Sequence, residues 1–141
     1  MILGIGSDIV KVARIEKLLS QAGNRFCERI FSPKEISYAE TRARPELHFA
    51  ARFAAKEAFV KALGCGFRDG LEWRDIEVIN DNLGRPELKL HGQAQKFCQQ
   101  LEITNTWLSL SHEQEFALAF VVLEGHNPRK AAHTRPSSQQ R

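Results

Sequence analysis

The sequence predicts an α+β fold with a mainly antiparallel sheet and a long central helix. Residues 46–63 form an apolar, helix-favouring run that Pro45 precedes and Gly64 follows. Two pairs of alternating segments, at 75–90 and 106–124, are each joined by a short turn, as in β-hairpins. The predicted order is strand, helices, hairpin, helix and hairpin, which is not the regular alternation of strand and helix that builds a parallel sheet.

The N-terminal third is predicted to hold one strand and three helical segments. "ILGIGSDIV" at 2–10 has the pattern of a strand that ends near Asp8. An amphipathic helix follows at 11–23, and a short helical turn covers 25–31. The segment "SPKEISYAETR" at 32–42 begins with serine, proline and, three residues after the serine, glutamate. That pattern is close to a capping box and predicts the start of a helix.

The C-terminal half is predicted to be β-structure around one helix. "DNLGRP" supplies the first hairpin turn through Gly84, and residues 92–101 have the pattern of a helix. The final strand pair is apolar on both faces. We place Leu108 and Leu110 on one face, and Trp107, Ala117, Ala119 and Val121 on the other. Because one layer of helices covers only one face of a small sheet, the second face predicts contact with another sheet.

The composition excludes several classes of protein. Hydrophobic residues make up 43% and charged residues 26% of the 141 positions, as in globular domains. No apolar run approaches the roughly 20 residues of a membrane span, and the N-terminus lacks the cationic start of a secretory signal. Three cysteines without a CxxC pair support neither a disulfide framework nor a zinc site. We therefore expect a cytoplasmic protein that does not associate with membranes.

The formal net charge of +3 comes from the C-terminal tail. Residues 126–141 carry four cations and no acid, which leaves 16 cations against 17 acids in residues 1–125. We predict a single domain over 1–125 and a flexible basic tail over 126–141, which is rich in proline, serine and glutamine. The tail could contact nucleic acid, but a tail without a partner is the simpler interpretation. Since the domain itself is not basic, the sequence does not favour nucleic acid as a partner.

Glu57 is the most unusual residue of the long helix. At about 100° per residue, its neighbours on the helix surface are mostly apolar. These neighbours are Ala50, Phe53, Ala54, Val60 and Lys61. A carboxylate in an apolar sector is costly unless it is paired, hydrogen-bonded or bound to a metal. An ordinary ion pair with Lys61, four residues later, is one explanation, although Phe53 and Val60 beside Glu57 weaken it.

Asp8, at the predicted end of the first strand, is the second candidate acid. Alone, such a residue is more commonly a turn residue or a helix cap. Together with Glu57 it suggests a site for Mg²⁺, which binds through one or two carboxylates, several waters and substrate phosphates. The sequence does not show that the two acids meet. The segment "GIGSDI" does not match the dinucleotide-binding GxGxxG pattern, because Ile9 stands where its last glycine would be.

Several basic and polar residues accompany these acids. The long helix also carries Arg52, Lys56 and Lys61. The first two form a like-charge pair four residues apart, which a bound anion would stabilise. The helix then enters a glycine loop at 64–66, whose amides could approach a ligand closely. Ser111 and His112 adjoin on a predicted strand and point to opposite faces, so a nucleophilic pair is not supported, whereas binding and structural roles both remain open.

A basic set of side chains occupies the first helix and the turn after it. It consists of Lys11, Arg14, Lys17, Arg25 and Arg29. A solvated surface is the usual meaning of such a set, and a docking surface for an acidic partner is the sharper hypothesis.

Three motifs together resemble the phosphopantetheinyl transferase superfamily, and within it the small holo-(acyl-carrier-protein) synthases. They are "GIGSDIV" at 4–10, "RFAAKEAFVKALG" at 52–64 and "SLSH" at 109–112. Between them, "FCERIFSPKE" and "LGRPELKL" are also similar to the family. The Gly-x-Asp and Phe-Ala-x-Lys-Glu-Ala motifs make the resemblance specific through their order and their spacing of roughly fifty residues. The resemblance covers about residues 1–125 and implies the fold of that superfamily.

The resemblance also implies a reaction. The family transfers the 4′-phosphopantetheine arm of coenzyme A to a serine of apo acyl carrier protein, for fatty acid biosynthesis, and releases adenosine 3′,5′-bisphosphate. Asp8 and Glu57 would bind Mg²⁺, and Glu57 and Lys61 would be catalytic, with Lys61 reaching the pyrophosphate. Val10 stands where larger members have a third acid, so water would take that coordination place. The serine proton would go to Glu57 through a metal-bound water, or to that water itself.

The substrate contacts follow from the same resemblance. The residues expected to bind coenzyme A are Arg52, Lys56, Gly64, Gly66, Ser111 and His112. The residues expected to bind the acidic acyl carrier protein are Lys11, Arg14 and Arg25. Small members of the family are homotrimers with sites between subunits. Asp8 and Glu57 would therefore come from one subunit and some of the coenzyme A contacts from the next.

Two other functions remain open from the sequence. A non-catalytic module could bind acidic protein or nucleic acid through the first helix and the tail. That function does not explain why a carboxylate, Glu57, lies among apolar residues such as Phe53 and Val60. The basic set also lacks the interleaved aromatic residues that are typical of nucleic-acid binding. A metal-dependent phosphohydrolase would use the same two acids, but two carboxylates are few for such a site.

Overall fold

The structure is a computed structural model, and it describes residues 1–126. The strands are β1 (Ile2–Lys11), β2 (Ile76–Asn80), β3 (Pro86–Leu90), β4 (Ile103–His112) and β5 (Phe116–Gly125). The helices are α1 (Val12–Ala22), α2 (Asn24–Ile30), α3 (Pro33–Glu40), α4 (Pro45–Leu63) and α5 (Gly92–Gln100), with a 3₁₀ turn over Trp73–Asp75. The predicted α+β class and the order of the elements are confirmed. Residues 127–141 of the predicted tail lie outside the described part of the chain.

The main sheet is antiparallel, with the order β1-β5-β4, so the last strand lies in the middle. Asp8 pairs with Ala119, and Ala119 pairs on its other side with Leu110. β2 and β3 form a separate two-stranded sheet, as the hairpin pattern predicted. The predicted end of the first strand is wrong, because pairing with β5 continues to Lys11 opposite Phe116. Asp8 therefore lies inside a strand and not at its end.

The glycines of "GIGSDIV" allow β1 to lie directly on α4. A Cβ atom at Gly4 would stand 2.1 Å from the carbonyl oxygen of Ala62, and one at Gly6 would stand 1.9 Å from that of Ala58. No side chain fits in either place, so backbone packs on backbone. This close contact fixes the position of β1 against the second half of α4, where the candidate acids lie.

A buried carboxylate joins three elements behind the sheet. The predicted capping box is present, since Ser32 Oγ accepts a hydrogen bond from the Glu35 amide at 3.2 Å and the Ser32 amide donates to Glu35 Oε1 at 3.0 Å. The same Oε1 accepts a bond from Lys56 Nζ at 2.8 Å, and Oε2 accepts one from the Val78 amide at 3.2 Å. Glu35 thereby ties α3, α4 and β2 together.

The outer face of the main sheet is apolar and exposed. Its exposed side chains include Ile5, Ile9, Trp107, Leu118 and Phe120. The prediction of two apolar faces is thus confirmed, but the assignment of residues to them is partly wrong. Leu108 pairs with Val121 and Leu110 with Ala119, so these four side chains share the inner face, while Trp107 lies on the outer face.

The structure bears on two further expectations. Within residues 1–126, no helix is both long enough and apolar enough to cross a membrane. The cytoplasmic location stays a prediction. All three cysteines are free. Burial raises the pKa of the Cys98 thiol to about 12, which agrees with an unreactive thiol.

Candidate active site

Asp8, Glu57 and Lys61 lie together where β1 packs on α4, and we call these three residues the acidic site. Lys61 Nζ donates to Asp8 Oδ1 at 2.9 Å and to the Ser7 carbonyl oxygen at 3.0 Å. The negative charge of Asp8 acts directly on Glu57. The close packing of glycine on helix therefore brings together two acids that are 49 positions apart in the sequence. The alternative of a simple Glu57–Lys61 ion pair is wrong, because Lys61 bonds to Asp8 instead.

Glu57 is half-buried, and its carboxylate has no polar partner in the described part of the chain. Within residues 1–126, its carboxylate makes no hydrogen bond and no salt bridge. Burial raises the pKa of Glu57, and the charge of Asp8 raises it further, while Lys61 and Arg14 act in the opposite direction. The carboxylate is thus destabilised by its own protein, as expected of a group that binds a cation or a substrate.

A cleft of about 580 Å³ opens beside the acidic site. Glu57 and Lys61 line it from α4, and Gly64, Gly66 and Arg68 line it from the loop after the helix. Gly64 and Gly66 have φ values of 76° and 68°, a left-handed conformation that side chains disfavour. The loop can turn sharply around the cleft, and its glycines leave room for a ligand against the backbone.

The acidic site fits Mg²⁺ better than a metal with an all-protein ligand set. Among the described residues, no group of three or more histidine, cysteine, aspartate or glutamate side chains could hold a metal ion. Asp8 and Glu57 supply two carboxylates that repel each other. A hard cation would remove that repulsion, and Mg²⁺ needs few protein ligands because it keeps waters and takes phosphate oxygens.

A second group of side chains, which we call the cationic cluster, lies near the start of α4. It consists of Tyr38, Arg42, His48, Arg52 and His112. The guanidinium groups of Arg42 and Arg52 each lie 4.2 Å from the centre of the Tyr38 ring. The His48 ring touches both the Tyr38 ring, at 5.6 Å between centres, and the His112 ring, at 6.0 Å. Three basic side chains thus surround the Tyr38 ring, and His112 joins them through its contact with His48.

Arg52 is the buried member of the cationic cluster. Its Nη2 donates to Asn80 Oδ1 at 2.7 Å, and the Asn80 amide in turn donates to the Gly84 carbonyl in the hairpin turn. Arg52 Nε is buried, and no atom of residues 1–126 accepts its hydrogen bond. A guanidinium with an unsatisfied buried N–H is expected to bind an acceptor such as a phosphate oxygen.

Ser111 and His112 are separated by the pleat of β4. Ser111 pairs with Leu118 on the exposed outer face, whereas His112 pairs with Ala117 on the inner face and reaches His48. Only His112 therefore joins the cationic cluster within one chain. Ser111 stands on the exposed apolar face of the sheet.

The expectation that Lys56 binds substrate is wrong. Its ammonium group is fully buried and donates to Glu35 Oε1, to the Trp73 carbonyl at 3.1 Å and to the Ile76 carbonyl at 2.5 Å. Burial lowers the pKa of Lys56, and the Glu35 carboxylate opposes that effect. With all three donors used inside the fold, Lys56 is a structural residue.

Two of the three predicted carrier-binding residues line a groove between α1, α2 and α4, which we call the docking groove. Arg14, Arg25 and Arg29 stand at this groove, and its apolar side chains are Leu18, Ala22, Phe26, Ile30, Phe53 and Trp73. The Arg14 guanidinium lies 5.9 Å from the Phe53 ring, and its charge also acts on Glu57. The docking groove therefore lies beside the acidic site. Lys11 is exposed at the end of β1 and does not line the groove.

The acidic site and the cationic cluster lie on opposite sides of α4. His48 and Glu57 are nine residues apart, which places them about 180° apart around a helix of 3.6 residues per turn. A single ligand cannot easily contact both sides of the same buried helix. This geometry separates the expected coenzyme A contacts into two groups within one chain.

Sequence reasoning missed several residues of these surfaces. Tyr38, Arg42 and His48 belong to the cationic cluster, and Phe26 and Trp73 belong to the docking groove. The only signal for His48 was its position four residues before Arg52, on the same side of the helix. The positions of Tyr38, Arg42, Phe26 and Trp73 at these surfaces depend on tertiary contacts that no local sequence pattern indicates.

The comparisons with known proteins agree with this architecture. Residues 4–121 match the family model described as the 4′-phosphopantetheinyl transferase superfamily. The holo-[acyl-carrier-protein] synthase of Geobacter sulfurreducens is 51% identical over 124 residues, which are 88% of this chain and 98% of that protein.

Solved structures extend the agreement to the fold. The crystal structure of holo-[acyl-carrier-protein] synthase from Neisseria meningitidis superposes with a TM-score of 0.82 at 41% identity, covering 88% of this chain and 99% of that one. The synthase from Bacillus anthracis, in complex with CoA (3′,5′-ADP), has a TM-score of 0.73 at 41% identity and covers 89% of this chain and 99% of that one. The chain therefore belongs to the 4′-phosphopantetheinyl transferase superfamily.

Proposed function

We propose that the protein is a holo-(acyl-carrier-protein) synthase, which transfers the 4′-phosphopantetheine group of coenzyme A to a serine of apo acyl carrier protein. The observation that carries the proposal is Glu57, a half-buried carboxylate between the cleft and the docking groove, to which no described residue donates a hydrogen bond. Relatives at up to 51% identity bear the name of this enzyme. The modified carrier serves fatty acid biosynthesis.

The reaction is a displacement at one phosphorus of the pyrophosphate. The serine oxygen of the carrier forms a bond to the phosphorus that bears the pantetheine arm. The bond from that phosphorus to the bridging oxygen breaks, and adenosine 3′,5′-bisphosphate leaves with the electron pair. The serine proton goes to Glu57 through a water, or to that water itself. Lys61, whose side chain is about half exposed beside the cleft, is placed to offset charge on the leaving group.

Mg²⁺ is the proposed cofactor, held by Asp8 and Glu57. When bound, it would neutralise charge on the pyrophosphate oxygens. Two observations support this proposal: the like charges of Asp8 and Glu57 lie together, and no group of residues 1–126 donates a hydrogen bond to Glu57. Lys61 donates to one oxygen of Asp8 at 2.9 Å, and no group of residues 1–126 donates to the other.

The docking groove is the proposed binding surface for the acidic carrier protein. Its rim is cationic, with Arg14 and Arg25, and its floor is apolar, with Phe26 and Phe53. A partner with acidic and apolar side chains on one surface matches both parts. Since Phe53 lies one helical turn before Glu57, a carrier in the groove would present its serine near the acidic site.

The adenosine end of coenzyme A is proposed to bind the cationic cluster of a neighbouring subunit. Arg52 and His112 would contact the 3′-phosphate, and Ser111 would contact a polar edge of the nucleotide. Because the cluster faces away from the acidic site of its own chain, a neighbour is needed to complete one site. The exposed apolar face of the sheet, with Ile5, Ile9 and Phe120 among its residues, is a suitable surface for a homotrimer.

The proposal is tested by mixing the protein with coenzyme A, Mg²⁺ and apo carrier protein, and weighing the carrier by mass spectrometry. We expect a gain of one phosphopantetheine. Asp8→Ala and Glu57→Gln should abolish the gain while the chain stays folded, whereas Glu16→Gln, an exposed change on α1, should not. Hydrolysis of coenzyme A without a gain in carrier mass would instead indicate a phosphohydrolase. Near-normal turnover of Glu57→Gln would contradict the assignment of the acidic site.

The shared site has its own test. His112→Ala and Glu57→Gln chains, each inactive or weak alone, should recover part of the activity when mixed, since some sites would then combine an intact acidic site with an intact cationic cluster. A fully active monomer in sedimentation would contradict the shared site.

A further inference from the structure

His48 connects the members of the cationic cluster. Its ring stands between Tyr38 on α3 and His112 on β4, in edge contacts with both. Arg52, four residues later on the same side of α4, lies over Tyr38 with its Nε unsatisfied and buried. A histidine that only filled space would not need to stand against another histidine and two arginines. The half-buried position of His48 still leaves part of the ring accessible to a ligand.

The charges around His48 are mostly positive. Arg52 faces it from α4, His112 from β4 and Arg42 from the turn after α3, and among residues 1–126 the acid that acts on it is Glu46. Burial lowers the pKa of His48, and the charges of Arg52, His112 and Arg42 lower it further, while Glu46 raises it slightly. Burial and these charges therefore favour the neutral form of His48 in the free protein.

We propose that His48 is a proton-linked phosphate-binding residue, which takes up a proton when the 3′-phosphate of coenzyme A binds the cationic cluster. The proposal rests on the proposed function, because it uses the same cluster and names the coupling at that site. The proton comes from solvent and binds the imidazole of His48, and no covalent bond to the ligand forms. In the bound state, His48 and His112 act as two donors on the same anion, beside Arg52.

The direction of the effect follows from linkage. A phosphate monoester carries close to two negative charges above its second pKa of about 6. Those charges offset part of the repulsion between protonated His48 and the cations around it. Binding then raises the pKa of His48, so the affinity for the phosphate increases as the pH falls through the window between the free and bound values. If binding raises the pKa of His48 by one, the affinity for the phosphate increases by up to about tenfold, the equivalent of about 1.36 kcal/mol.

The test is isothermal titration calorimetry on the assembled protein at saturating Mg²⁺, with coenzyme A and with its analogue that lacks the 3′-phosphate. Titrations at pH 7 in buffers of different ionisation enthalpy give the number of protons taken up. We compare the wild type with His48→Phe, which keeps a ring against Tyr38 and His112, and with His48→Gln, which keeps a hydrogen-bond donor. His91→Gln, outside the cluster at 3.1 Å from Glu77, is the matched control.

Wild type and His91→Gln should take up more protons with coenzyme A than with the analogue. Their preference for coenzyme A should increase about three- to tenfold between pH 8 and pH 6.5. In His48→Phe and His48→Gln, the extra uptake and the increase should disappear. Equal uptake in wild type and both His48 variants would overturn the role of His48 while leaving the proposed transfer intact. Equal affinity of the wild type for the two ligands would show that the cationic cluster does not bind the 3′-phosphate, and the proposal would then be wrong.

Discussion

Lys56 and Glu57 are neighbours on α4, and they use their charges in opposite ways. Lys56 is fully buried, yet each of its three N–H groups has an acceptor within the fold. Glu57 is only half-buried, yet nothing in the described chain bonds to it. Folding supplies the hydrogen-bond partners of Lys56, whereas Glu57 remains available to a ligand. Burial alone is therefore a poor guide to function, and the completeness of the hydrogen bonds is the better one.

The largest expected effect tests the structural side of this comparison. Lys56→Met should lower the free energy of unfolding by about 3–5 kcal/mol, because it leaves the buried Glu35 carboxylate without its cation. Glu57→Gln, at the next position, should change the free energy of unfolding by about 0.5 kcal/mol or less. Chemical denaturation at a fixed protein concentration measures both.

The paired change gives a control for this prediction. Lys56→Met with Glu35→Gln should regain part of the lost stability, since a neutral amide is easier to bury than an unpaired carboxylate. If Lys56→Met is as stable as the wild type but no longer binds coenzyme A, the original expectation of a substrate-binding lysine would be restored.

The next effect concerns the contact that brings the acidic site together. Gly6→Ala would put a Cβ atom 1.9 Å from the Ala58 carbonyl oxygen and 2.7 Å from the Ala62 amide nitrogen. Overpacking of this kind costs about 1–3 kcal/mol or more. It would also move Asp8 away from Glu57. Mg²⁺-dependent binding of coenzyme A should therefore weaken even under conditions in which the variant is folded.

The neighbouring exposed residue supplies the control for Gly6. Ser7→Ala keeps the backbone carbonyl that Lys61 binds and adds no atom toward the helix. We expect it to leave unfolding and coenzyme A binding close to those of the wild type. An unchanged melting curve for Gly6→Ala would contradict the backbone-on-backbone contact.

The fold was largely predictable because its signals are local. The capping box at Ser32, the stop at Gly64 and the two hairpin turns each depend on residues a few positions apart. The anomaly of Glu57 was also visible, since its apolar neighbours lie on one helix. What each charge meets is not local. Lys56 reaches Glu35 from 21 positions away, and His48 on α4 meets His112 on β4. No spacing rule predicts either contact.

A smaller effect tests the docking groove. Arg14→Glu should raise the KM for carrier protein about tenfold, equivalent to about 1.4 kcal/mol, and leave the KM for coenzyme A nearly unchanged. Added salt should reduce the difference, because charges on the rim are screened over about 8 Å at physiological ionic strength. Steady-state kinetics at two salt concentrations measure both constants.

Lys17→Glu is the matched control, because it makes the same charge change on the same helix, away from the groove. It should raise the KM for carrier protein much less than Arg14→Glu does. Equal effects of the two variants would indicate general charge attraction and not a defined groove. Equal changes in both KM values for Arg14→Glu would place Arg14 in the catalytic site instead.

The smallest expected effect is the cost of the unpaired Glu57 in the metal-free protein. Because burial and Asp8 raise its pKa above the ordinary value of 4.5, the folded chain holds the Glu57 proton more tightly than the unfolded chain does. Stability should therefore fall as the pH rises from 4.5 through the raised pKa. Since the group is half-exposed, solvent screening keeps this fall to about 0.5 kcal/mol or less. Unfolding measured against pH in the presence of a chelator should show this fall as a difference between the wild type and Glu57→Gln in the slope of stability against pH.

Mg²⁺ should then stabilise the wild type more than the variant, because only the wild type retains both carboxylates. A wild type and variant with the same pH slope and the same response to Mg²⁺ would show that Glu57 is an ordinary surface carboxylate.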